Sequence, residues 1–167
     1  MERFETSDHV GIAYEVHGQG SPVVVCHGGP NTTHEYLVED LSPLEDHATL
    51  IFHDYRGSGC SDSAPRATYT YERLADDVDE LRARLALNRV SVLAHSIGGY
   101  VALEYALRHP ERCERLILMS CTPAGTWQRT ALPTLRALGI ARFDQSVLRP
   151  VVSPHASVAV GLKLLAH

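Results

Sequence analysis

The sequence carries no excess of basic charge. Fifteen lysines and arginines stand against twenty aspartates and glutamates, for a formal net charge of −5, so no positive field gathers a phosphate backbone and nucleic acid is disfavoured as a partner. There is also no apolar stretch long enough to cross a bilayer. The run Val158–Ala166 is short and contains Lys163, and Met1-Glu2-Arg3-Phe4-Glu5 lacks the apolar core of a signal segment. No membrane partner is expected. Cys26, Cys60, Cys113 and Cys121 sit at no metal-binding or redox spacing, which predicts reduced core or loop residues and a cytoplasmic setting. His27, His34, His47, His53 and His95 are scattered over different segments, and no two are spaced i, i+4 as on a zinc-binding helix. Neither a metal nor another cofactor is expected, and no internal repeat or low-complexity tract is visible.

What the chain does have is alternation. Pro22-Val23-Val24-Val25-Cys26 is a continuous apolar run that ends in His27-Gly28-Gly29-Pro30, the pattern of a buried parallel strand entering a glycine-rich loop. Thr49–His53 is a second such strand and runs into Asp54-Tyr55-Arg56-Gly57-Ser58-Gly59-Cys60-Ser61. Thr70 is placed to cap a helix over Tyr71–Leu87, in which Leu74, Val78, Leu81 and Leu85 fall on one face. Val90–Ala94 forms a third strand. A helix opening at Ser96 runs to the neighbourhood of His109-Pro110, with Ala102, Tyr105 and Ala106 available to pack under the sheet, and Leu116–Ser120 is a further strand. Short buried strands alternating with helices predict an α/β architecture with a mostly parallel sheet, whose ligands gather outside the carboxyl ends of the strands.

Ala94-His95-Ser96-Ile97-Gly98 lies where a strand meets a helix and reads as the sharp turn that presents a nucleophilic serine. The backbone there is tightly bent, so the positions two residues either side of the serine must be small, and Ala94 and Gly98 meet that need. A serine near glycine is common in ordinary turns. Three glycine or serine motifs at successive strand ends, in the right order, are far rarer. Asp54 and Arg56 read as structural, holding the loop after their strand through a buried pairing. His27 is placed to donate a hydrogen bond within its loop, His95 to be directed away from the serine beside it, and Tyr36 and Tyr100 to pack in the core.

His27-Gly28-Gly29-Pro30, Asp54-x-Arg56-Gly57-x-Gly59-x-Ser61 and His95-Ser96-x-Gly98-Gly99 together resemble the α/β-hydrolase family, prolyl iminopeptidase-like branch, over roughly residues 1–122. Asn31, Tyr55, Ala94 and Ile97 stand where that branch usually has other residues, so an ester, amide or lactone hydrolase fits almost as well as an iminopeptidase. The resemblance implies that Ser96 attacks a carbonyl carbon and forms an acyl-enzyme, with the backbone N–H groups of Gly29 and Ile97 receiving the oxyanion. Its substrate would be a small molecule or short peptide.

In this fold the triad runs serine, then acid, then histidine. Downstream of Ser96 the acids are Glu104, Glu111, Glu114 and Asp144 and the histidines His109, His155 and His167, and none has the family's setting. The triad acid and base are unassigned. Residues 123–167 show Leu132, Leu135, Leu138 and Ile140 at helical spacing, broken by Pro133, Pro150 and Pro154, and read as the start of a helical cap cut off at His167. The expectation is therefore the N-terminal part of a hydrolase core over 1–122, ending inside the cap. The alternative is a non-catalytic binding protein that keeps the pocket. With Leu116–Ser120 left at an edge, a homodimer or other association through that edge is expected.

Overall fold

The computed structural model describes residues 1–29 and 32–121. Six strands form one sheet: β1 (Glu2–Glu5), β2 (Gly11–Gly18), β3 (Ser21–Cys26), β4 (Ala48–His53), β5 (Val90–His95) and β6 (Cys113–Met119), in the order β1-β2-β4-β3-β5-β6. The last four are parallel to one another, while β2 joins β4 and β1 joins β2 antiparallel. The helices are α1 (Glu35–Leu41), α2 (Tyr71–Arg84) and α3 (Gly98–Arg108).

Strand periodicity divides the core in two. Along β3, Val23 and Val25 face α1, where they meet Leu37, Leu41, Leu50, Phe52 and Leu93; Val24 and Cys26 face α2 and α3, with Ile51, Val78, Leu81, Val92, Ala102 and Tyr105. Because both faces are covered, the central strands read as unbroken apolar runs. Each buried valine, leucine or isoleucine contributes about 1.5–3 kcal/mol by leaving water.

The boundaries show what sequence patterning resolves. Thr70 caps α2 as expected, its hydroxyl accepting the N–H of Arg73 at 3.2 Å. The helix stops at Arg84, short of Leu87, because Ala86 turns to φ +54° and lets the N–H groups of Ala86 and Leu87 close on Ala83 and Arg82. Helix α3 begins at Gly98, after Ser96 rather than at it. Strand β6 starts at Cys113, three residues before the predicted Leu116, and carries an extra residue opposite the segment between Val90 and Val92.

The N-terminal hairpin and α1 are additions. Strand β1 buries only Phe4 and is too short to signal itself, and α1 spans seven residues without a side-chain cap. The predicted cap region 123–167 lies outside the described residues, as do Asp144, His155 and His167. Among the described residues no helix is long and apolar enough to cross a membrane.

Candidate active site

Ser96 occupies the step between β5 and α3 and is exposed, with φ at +53°. A side chain in that left-handed region is strained, and surrounding structure has to enforce it. Three contacts do so. The N–H of Ser96 donates to the carbonyl of Met119 at the end of β6, at 3.0 Å. Gly98 lets the end of β3 pass beneath the start of α3: a Cβ there would strike the carbonyl oxygen of Cys26 and stand 2.6 Å from that of His27. At Gly99 a Cβ would lie 2.6 Å from Cys121 Sγ. Ala94, fully buried, aligns with Cys26 on one side and Leu118 on the other.

The loop after β3 faces this turn. Gly29 has φ +69°. Among the described residues neither its N–H nor that of Ile97 donates to a protein acceptor, whereas the N–H of Gly28 donates to Tyr36 Oη at 2.7 Å. His27 is buried and linked on both ring nitrogens: Nδ1 donates to the carbonyl of Gly28 at 2.9 Å, and Nε2 accepts the N–H of Tyr55 at 3.4 Å. Burial lowers its pKa and keeps it neutral, as that arrangement requires. Thr32 Oγ1 also donates to the Gly28 carbonyl.

Asp54 and Arg56 leave the same strand end and go separate ways. The Arg56 guanidinium, wholly buried, makes paired hydrogen bonds to Asp77 at 2.7 and 2.8 Å and to Asp8 at 2.8 and 3.0 Å. That ties the loop after β4 to α2 and to the β1–β2 turn. Burial works against its charge, and the two carboxylates more than restore it, raising the pKa. Asp54 instead accepts the N–H and the Nδ1–H of His34, at 3.0 and 2.8 Å, and the N–H of Cys60 at 2.9 Å. Burial opposes ionisation of Asp54, but these donors hold its pKa near 2.

His34 carries no sequence signal for this task, yet it is fully buried with Nε2 3.0 Å from Glu15 as well. Burial alone would lower its pKa; the two carboxylates outweigh that and raise it. His53 is the opposite case. Its buried ring nitrogens find no well-formed hydrogen bond among the described residues, and burial drives the pKa down to about 3.

Among the described residues no carboxylate or imidazole hydrogen-bonds to Ser96 Oγ. His95 turns its Nδ1 to Tyr36 Oη at 2.7 Å. Tyr36 departs from its expected place in the core: it is 42% exposed and spans the loop and the serine turn. Tyr100, half-buried, leans on Tyr71 with ring centroids 5.2 Å apart. No group of three or more metal-ligating side chains is found among the described residues. A cleft of about 750 Å³ opens beside Gly29 and Ile97, walled by Tyr55, Tyr69, Tyr71, Leu74 and Val101, a size that admits a small organic molecule or short peptide.

A mostly parallel sheet with helices on both faces, and a strained exposed serine where a central strand becomes a helix, define an α/β class of protein whose ligands gather at the carboxyl ends of the strands. Comparison with known proteins gives the family. The family model described as alpha/beta hydrolase fold matches residues 21–149. Proline iminopeptidase PfmaB from Pestalotiopsis fici is 33% identical over 159 residues, covering 91% of this chain and 56% of that protein. Cis-3-alkyl-4-alkyloxetan-2-one decarboxylase from Shewanella oneidensis is 36% identical over 113 residues, 65% of this chain and 35% of that protein. A hydrolase of solved structure from Pseudomonas aeruginosa superposes with a TM-score of 0.69 at 29% identity, over 88% of this chain and 55% of that one. This chain belongs to the α/β-hydrolase family. It spans about half the length, or less, of these relatives.

Proposed function

We propose that this protein is a serine hydrolase that cleaves an ester, an amide or an N-terminal proline peptide bond through an acyl-enzyme at Ser96. The observation that carries the reading is the strained, exposed Ser96 with two backbone donors beside it that find no acceptor among the described residues, Ile97 at the start of α3 and Gly29 across from it. Ser96 Oγ bonds to the carbonyl carbon while its proton passes to a base; the carbonyl oxygen becomes an oxyanion between the two N–H groups. Collapse expels the leaving group, which takes up a proton, and water then releases the acyl group and restores Ser96. Each donor is worth roughly 3 kcal/mol in the transition state. The base and its acid partner belong to sequence outside the described residues, and no cofactor enters the reaction.

The same reading places residues 1–122 in the hydrolase core and 123–167 at the start of a cap, and sets the protein in a reducing cytoplasm. Buried Cys26 and Cys121 are free, and burial pushes their thiols up to about 12 and about 11, away from reactivity. Self-association through β6 belongs to it too, one of the two outer strands among the described residues; sedimentation velocity tests that part, and a monomer at all concentrations refutes it.

Intact-mass spectrometry after exposure to a fluorophosphonate tests the nucleophile, with Ser96→Ala as control. A single adduct absent from the control is expected. A folded protein that takes no adduct has an unassisted Ser96, which counts against turnover by this chain and favours an incomplete or non-catalytic protein.

A further inference from the structure

Tyr36 Oη sits between the two segments that carry the proposed oxyanion donors. The N–H of Gly28 can only donate, so Tyr36 Oη accepts it, at 2.7 Å; the phenolic proton then goes to His95 Nδ1, also at 2.7 Å. The charge states agree. Burial lowers the pKa of His95 and raises that of Tyr36, leaving a neutral ring to accept and an intact phenol to donate. The rings meet edge to face at 5.6 Å. A Cβ built on Gly28 would lie 3.0 Å from Tyr36 Oη, 3.1 Å from His95 Nδ1 and 3.1 Å from Ser96 Cβ, so loop, bridge and nucleophile converge on one point with no spare room.

We infer that the Gly28–Tyr36–His95 bridge positions the oxyanion hole, an inference that rests on Ser96 being the nucleophile. The bridge acts in two ways. It occupies the Gly28 N–H, so that of the two adjacent loop amides only Gly29, turned to φ +69°, is left for the substrate. It also sets the spacing between the loop and the turn, and hence between the Gly29 and Ile97 N–H groups. Oxyanion donors act within about 2.7–3.1 Å of the developing charge, so a small change in that spacing is felt in the chemical step rather than in binding. Tyr36 and His95 are positioning residues; neither touches the reacting atoms.

The test is the labelling of Ser96 by a fluorophosphonate in the full chain, resolved into a maximal rate and a half-saturating concentration, together with amide hydrogen exchange at Gly28. Removing the bridging oxygen in Tyr36→Phe is expected to lower the maximal rate by about tenfold or more with half-saturation unchanged. Gly28 exchange should speed up by about tenfold as its acceptor is lost. His95→Leu should slow labelling in the same way. His95→Asn, whose Oδ1 can take the same proton, should recover most of the rate. Parental labelling by Tyr36→Phe overturns the inference, as does His95→Asn labelling as slowly as His95→Leu. If the parent takes no label at all, Ser96 is not activated in this chain and the hydrolase reading loses its support, while unchanged Gly28 exchange in Tyr36→Phe overturns the bridge on its own.

Discussion

The turn at Ser96 and the loop after β4 follow parallel strands on either side of β3 and are held by opposite means. At the serine turn the constraints are steric and backbone: Gly98 admits the carbonyls of Cys26 and His27, Gly99 admits Cys121, and one main-chain hydrogen bond joins Ser96 to β6. In the loop after β4 the constraints are charges taken out of water, Arg56 between Asp77 and Asp8, and His34 between Asp54 and Glu15. Steric pins are indifferent to pH and salt. Charged pins hold several distant segments at once, but only while their protonation states match, and a charge deprived of its partner becomes a large cost.

The contrast is sharpest where each kind of pin is broken. Arg56→Leu leaves Asp77 and Asp8 with only Arg73, at 2.7 and 3.1 Å, as counter-charge and should cost up to about 3–5 kcal/mol in urea unfolding; adding Asp77→Leu should recover part of the loss. A Gly98→Ala substitution drives a methyl into the carbonyl oxygens of Cys26, at the end of β3, and His27, just after it. It should cost about 1–3 kcal/mol and abolish fluorophosphonate labelling even where circular dichroism shows a folded sheet. A stable, fully labelled Gly98→Ala protein would mean that the close approach is not needed.

The charged pins should respond to pH and the steric ones should not. His34 has a folded pKa raised above its ordinary 6.5, so its stabilisation is complete below about pH 6.5 and is lost as pH rises through the folded value. His53 has a folded pKa near 3, so the unfolded chain takes up its proton first and stability falls as pH drops from 6.5 towards 3. Asp54, held near 2 against an ordinary 3.8, adds to the acid loss only below about pH 4. Urea midpoints measured across pH should therefore decline on both sides. His53→Leu should flatten the acid limb and His34→Gln the alkaline limb; an alkaline limb unchanged in His34→Gln would show that its imidazole is not charged in the fold. The smallest effect is expected at Thr70→Ala, about 1 kcal/mol from the lost cap of α2, with labelling of Ser96 unaffected.

The contrast also explains what could be read from the sequence. Strands β3, β4 and β5 announce themselves because burial on both faces makes them unbroken apolar runs, and α2 because one face is periodic and capped. The serine turn is legible because its steric demands fall within five consecutive residues. The loop after β4 is legible only in part. Arg56 and Asp54 stand out, but their partners Asp8, Asp77 and His34 lie 48, 21 and 20 positions away. The same separation hides the 59-residue contact between Tyr36 and His95. Strand β1 and helix α1 escape notice because each is short and owes its form to the sheet it rests on.

The extra residue in β6 lies opposite the segment between Val90 and Val92, where β5 begins, and the pairing then runs in step to His95 and Met119. Met119 is also the residue from whose carbonyl the Ser96 N–H hangs. A slip of one residue between these strands would move that carbonyl by about 3.3 Å. The mismatch is thus taken up at the entry of the strand pair, like a shim at the foot of a column, and the end at which Ser96 is fixed is left without play.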